Sequence, residues 1–120
     1  MIPIISETDY TALNEVLVQQ KDKERNFLKG LLQKFKRVKE KEMPEKTVRL
    51  NSIVEIWHSL LKKIIKIRIV LPYKANLKER QISVFAPISL ALIGHKENDM
   101  IEMVIPGLKK QMKIIRVINQ

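Results

Sequence analysis

Two carboxylates, Asp22 and Glu24, stand in the run Lys21-Asp22-Lys23-Glu24-Arg25. Paired carboxylates are the oxygen donors that a hard cation such as Mg²⁺ prefers. Here three cations interleave them, and like charge nearby opposes a metal ion. A solvated polar turn is the stronger reading, so no metal and no cofactor is expected. His58 and His95 are the only histidines, and there is no cysteine. Neither histidine has a second ligand at zinc-site spacing, so a surface or turn role is expected for both. No Ser-His-Asp or Cys-His set assembles. The three glycines, Gly30, Gly94 and Gly107, lie too far apart to cradle a phosphate. These residues do not describe an enzyme.

Charge says more than motif. The chain of 120 residues carries a formal net charge of +10. Residues 21–41 hold nine basic residues against three acidic ones, and residues 47–120 hold thirteen against five. Such a field favours an acidic partner, either nucleic acid or an acidic protein surface. Lys34, Lys36, Arg37, Lys62, Lys63, Lys66 and Arg68 are the candidate DNA or RNA contacts, and a solvated basic face is the plain alternative. Aromatic residues are only 5%, which is sparse for a binder that stacks on bases. A 45% hydrophobic content permits one core, or one small domain with an appendage. No apolar run approaches the ~20 residues needed to cross a bilayer. The N-terminus lacks the pattern of a signal peptide. A cytoplasmic protein that makes no use of a membrane is expected. The sequence sets no oligomeric state.

The elements that position these charges begin with Ser6, a good N-cap before Tyr10, Leu13, Val16 and Leu17 at helical spacing. This predicts a helix over about Glu7 to Gln20, with Asp9 completing a weak capping box. Gln19 to Glu24 turns the chain, and Asp22 or Asn26 opens a second helix. Phe27, Leu28, Leu31, Leu32, Phe35 and Val38 form its apolar stripe, with Phe27 and Phe35 in the core and Lys34, Lys36, Arg37, Lys39 and Lys41 on the other face. Pro44 disfavours helix at Met43, so the helix ends near residues 40–45. Two helices joined by a short polar turn read as an antiparallel hairpin, a short coiled coil over residues 1–42. At this length neither helix is stable alone, so the hairpin must pack on the rest.

From Thr47 the period changes to that of strands. Val48, Leu50, Ile53, Val54, Ile56 and Trp57 mark one strand or two. After a turn at Ser59 to Lys62 comes a strand over Ile64 to Leu71, with Lys66 and Arg68 on the face opposite Ile65, Ile67 and Ile69. A basic loop covers Pro72 to Arg80, and Gln111 to Ile118 forms the last strand. Between them, Gln81 to Phe85 is a strand. Pro87 opens a short apolar helix, and Gly94 ends it in a left-handed conformation. Asn98 and Asp99 turn the chain into a strand from Met100 to Ile105, and Pro106-Gly107 suits a type II turn. The whole is α+β, an antiparallel sheet packed around one short helix behind a helical hairpin.

The stretch Ala86-Pro87, Ala91-Leu92-Ile93-Gly94, Lys96, Asp99 and Pro106-Gly107 resembles the C-terminal domain of the bacterial Gre-type transcription factors. Met43-Pro44 leading into Thr47-Val48-Arg49-Leu50-Asn51-Ser52, and the run Ser83-Val84-Phe85-Ala86-Pro87, are most similar to its Rnk branch, regulators of nucleoside diphosphate kinase. The likeness is specific from Met43 to Gly107. It implies an FKBP-like domain over residues 43–120, without isomerase activity.

The resemblance also implies a partner. Gre-type C-terminal domains grip the rim of the RNA polymerase secondary channel with the segment before the short helix. Carried over, that segment is Ser83, Phe85, Ala86 and Pro87. Cleavage-competent members tend to have an acid where this chain has Phe85. They also carry a long hairpin with an acidic tip that helps hold a catalytic Mg²⁺. Here a helix of roughly 14 residues spans about 21 Å, about half a Gre arm, and the tip motif is missing. A transcription regulator that binds polymerase without cleaving transcripts is expected. A basic nucleic-acid binder and a kinase regulator are the alternatives.

Overall fold

Ser6 sets the entry to the first helix. In the computed structural model, which describes residues 2–105 and 108–119, β1 (Ile4–Ser6) runs directly into α1 (Glu7–Leu17). The Ser6 Oγ accepts the Asp9 N–H at 3.1 Å, which satisfies one of the helix's free donors. α1 ends three residues earlier than the pattern predicts. The Gln19 and Gln20 N–H groups bond three residues back, to Val16 and Leu17, so the last turn is tightened rather than helical.

α2 (Asp22–Leu32) starts at Asp22, with Lys21 as an N-cap whose side chain makes no capping bond. It stops well before Val38. The reason is β1, whose open edge pairs in parallel with β2 (Lys36–Val38). Lys36 N–H reaches the Pro3 carbonyl at 2.9 Å. Lys34, Lys36, Arg37, Lys39 and Lys41 therefore leave the helix. Phe27 is also not core: it is 67% exposed. Phe35 packs against the core from its edge.

The second sheet has five strands: β3 (Ile53–His58), β4 (Lys63–Val70), β5 (Gln81–Ser83), β6 (Met100–Ile105) and β7 (Leu108–Ile118). Their order is β5-β4-β3-β7-β6. All neighbours are antiparallel except β4 and β5, which run parallel, so the sheet is mixed rather than purely antiparallel. A parallel step needs a crossover. The residues between β4 and β5 supply it, with two short 3-10 turns at Pro72–Lys74 and Leu77–Glu79. Pairing shifts by one residue at Glu55 and Ile56, so Ile115 is skipped. The Pro106-Gly107 turn lies outside the described residues.

Alternation sorts the sheet into two faces. Val54, Ile56, Ile67, Ile69, Met112, Ile114 and Val117 point inward and are buried. Leu92 and Ile93, at the end of α3 (Pro87–Leu92), join them. So do Leu13 and Leu17 of α1 and Leu28 and Leu32 of α2. The hairpin thus shares one hydrophobic cluster with the sheet. Each fully buried leucine contributes about 1.5–3 kcal/mol, which is what holds two helices too short to stand alone. Gly94 has φ +85, as its helix-ending role requires, and its carbonyl accepts the Ile4 N–H at 3.3 Å. No helix among the described residues is long and apolar enough to cross a membrane.

Candidate functional site

The segment Ser83 to Pro87 is a built turn. The Val84 N–H donates to the Val70 carbonyl at 2.7 Å, and the Val84 side chain is fully buried. That anchors the turn to the sheet. The Ser83 Oγ accepts the Phe85 N–H at 3.1 Å, and the Ser83 carbonyl accepts the Ala86 N–H at 3.0 Å. Ala86 then caps α3 in an extended conformation, with Pro87 in the first helical position, where its missing N–H leaves nothing unpaired. Phe85 is half-buried and Pro87 is exposed, so neither is sealed beneath other elements.

Phe85 faces the hairpin. With Gln20, Glu24, Phe27 and Leu28 it lines a groove of about 220 Å³. Phe27 forms the outer wall, and Val18, which is also 67% exposed, follows the end of α1. The site therefore joins the two parts of the chain. The sequence placed Phe27 in the core because its spacing fits the helical stripe. The buried seam of α2 runs through Leu28 and Leu32, and Phe27, inside the helix, lies on the margin of that seam.

At the hairpin tip, Asp22 and Arg25 form an ion pair at 2.5 Å across one helical turn. Lys21, Lys23 and Glu24 are exposed. Among the described residues, no three His, Cys, Asp or Glu side chains come together as a metal would need. Each helix of the hairpin has 11 residues, or about 16 Å.

The cations divide among separate elements. Lys34, Lys36 and Arg37 lie beyond α2, and Arg37 sits over the Tyr10 ring at 4.5 Å. Lys62 and Lys63 lie at the β3–β4 turn. Lys66 and Arg68 lie on the outer face of β4. His58, expected at the surface or in a turn, is buried at the end of β3, where its Nδ1 accepts the Leu61 N–H at 3.3 Å. Burial, with Lys110 nearby, pushes its pKa below the usual 6.5. His95 lies in the turn after Gly94, with Nδ1 3.6 Å from the Asp99 carboxylate.

One constellation escaped the sequence reading. Arg49 reaches Asp9, Glu40 and the Ser6 hydroxyl together. The Asp9 carboxylate also accepts the Leu50 N–H at 3.2 Å. Burial works against both charged partners. The hydrogen bonds and opposite charges outweigh it, holding the Glu40 pKa below and the Arg49 pKa above their ordinary values. The only signal in the sequence was an acid at the third position of α1.

Residues 43–119 match the family described as "Transcription elongation factor, GreA/GreB, C-term". Among solved structures, the chain is similar to a prokaryotic transcription elongation factor GreA/GreB from Nitrosomonas europaea, with 26% identity, a TM-score of 0.75 and 98% of each chain covered. It also resembles Gfh1 of Thermus thermophilus, with 16% identity, a TM-score of 0.50, and 99% of this chain and 100% of that chain covered. Gfh1 of Thermus aquaticus gives 17% identity and a TM-score of 0.52, with 98% of this chain and 99% of that chain covered. The two Gfh1 likenesses speak to fold alone. No curated protein sequence matches.

Proposed function

The chain belongs to the GreA/GreB family of transcription elongation factors, and from that premise we propose that it regulates transcription by binding RNA polymerase at the rim of the secondary channel, without cleaving transcripts. One observation carries the reading. Phe85 to Pro87 is an open, rigidly anchored turn that shares a groove with the hairpin. A rigid turn loses little conformational entropy on docking, which favours a protein partner. The short reach of the hairpin and the Asp22–Arg25 ion pair support the non-catalytic half of the reading. The cations interleaved with Asp22 and Glu24 also oppose a metal ion there by like-charge repulsion. The hairpin then obstructs or competes at the channel rather than supplying chemistry.

The test is binding of the full chain to immobilised core RNA polymerase. Phe85→Ala removes the ring that lines the groove and is expected to weaken binding at least tenfold. Unchanged binding by this variant would remove the docking role from the segment.

A further inference from the structure

Among the described residues, the outer face of the five-stranded sheet is largely exposed, and it is not the polar face that an open antiparallel sheet ordinarily shows to water. One row crosses four strands: Ile64 on β4, Trp57 on β3, Lys113 on β7 and Met100 on β6 are successive partners. Ile64 is 55% exposed, Trp57 40% and Met100 60%. At about 4.8 Å between strands, the row spans about 14 Å. The next row holds Lys66, Glu55 and Arg116. Glu55 is flanked by both cations and lies 3.9 Å from Arg116, so the row keeps net positive charge.

We propose that this face binds single-stranded nucleic acid, with a base stacked on Trp57, neighbouring bases against Ile64 and Met100, and phosphates on Lys113, Lys66 and Arg116. The placement of Lys113 decides between partners. A protein interface keeps charge out of its centre. Here Lys113 lies inside the apolar row, between Trp57 and Met100. Alternating base faces and phosphates along a strand suit that interleaving. Surfaces of four-stranded sheets with exposed aromatics hold two or three bases in this manner. A second copy of this chain is disfavoured because it would set two basic faces against each other. A duplex is disfavoured because its base faces are already stacked. The inference does not rest on the polymerase reading.

Trp57 is the only tryptophan in the chain, so its emission reports on this face alone. A (dT)12 oligonucleotide is titrated into the full-length protein, and anisotropy of the labelled oligonucleotide is followed in parallel. Saturable quenching of Trp57 is expected, with a 12-base-pair duplex binding more weakly. Affinity should fall about 20-fold between about 50 and 200 mM salt if Lys113, Lys66 and Arg116 each neutralise a phosphate. Trp57→Leu keeps an apolar side chain at an exposed site and should lose roughly tenfold in affinity. Lys113→Gln should lower the salt slope by about 0.7. The proposal is overturned if (dT)12 does not bind. It is equally overturned if Trp57→Leu binds unchanged, which would place the contact on other basic surfaces. It also fails if an acidic leucine-glutamate peptide shifts Trp57 emission while (dT)12 does not.

Discussion

Arg49 holds Asp9 by both carboxylate oxygens, Nε at 3.2 Å and Nη2 at 3.3 Å, across 40 residues of sequence. The pair ties the first turn of the hairpin to the loop that enters the sheet. The Asp9 side chain is 10% exposed and that of Arg49 21%, so neither is well solvated. Removing one partner leaves the other poorly paired. Arg49→Ala is expected to cost about 2–3 kcal/mol, below the figure for a fully buried pair because water still reaches the guanidinium. Arg49→Lys should recover only part of it, since lysine lacks the planar fork. Urea denaturation of both variants, completed as a cycle with Asp9→Asn, measures the coupling. A coupling near zero would show that the pair holds nothing.

Two glycines should respond oppositely to alanine. A Cβ on Gly94 would meet the Pro3 Cβ at 2.6 Å and the Ile4 nitrogen at 2.7 Å, in a backbone conformation that disfavours side chains. Gly94→Ala should cost about 2–4 kcal/mol from strain and overpacking together. A Cβ on Gly30 meets nothing within 4 Å, inside α2. Gly30→Ala should stabilise by about 0.5–1 kcal/mol. Thermal unfolding separates the two, and a Gly30→Ala loss would mean that α2 is not helical there.

The strands were legible because they are rich in β-branched residues and bounded by turn residues, although Lys63–Val70 alternates only partly. Gly94, Asn98 and Pro87 mark their turns by backbone chemistry alone. The Ser6 cap was legible for the same reason. The end of α2 was not. Leu31, Leu32, Phe35 and Val38 keep helical spacing, and only pairing with β1, thirty-two residues earlier in the chain, draws Lys36–Val38 into a strand. The parallel β4–β5 step was hidden likewise, since nothing local distinguishes it from a hairpin. Of the candidate site, Ser83 to Pro87 could be read from residue types. Its neighbour Phe27 could not, because helical spacing cannot tell a buried seam from its margin.

His58 gives stability a pH dependence near neutrality. In the unfolded chain it takes a proton around 6.5, while burial and Lys110 lower its pKa in the fold. The unfolded state therefore binds the proton more readily, and protonation favours unfolding. The stability linked to His58 is complete above about pH 6.5. It declines as pH falls toward the lower folded value, and below that it is fully lost. Urea midpoints measured from pH 8 to 5 should fall with pH in the native chain and flatten in His58→Gln. An equal slope in both would assign the dependence to other groups.

Phe27 separates docking from folding. It is two-thirds exposed, so Phe27→Ser should shift the thermal midpoint little. If the groove shared with Phe85 receives the polymerase, the same change should weaken polymerase binding several-fold. Loss of stability without loss of binding would make Phe27 a structural residue.

The proposal that this factor binds without cleaving is tested most directly on a paused, backtracked elongation complex supplied with Mg²⁺. With the full chain in excess, the transcript is followed on a sequencing gel while binding is confirmed in the same sample. Bound factor and a transcript of unchanged length are predicted. Mg²⁺-dependent shortening that Asp22→Ala abolishes would contradict the account.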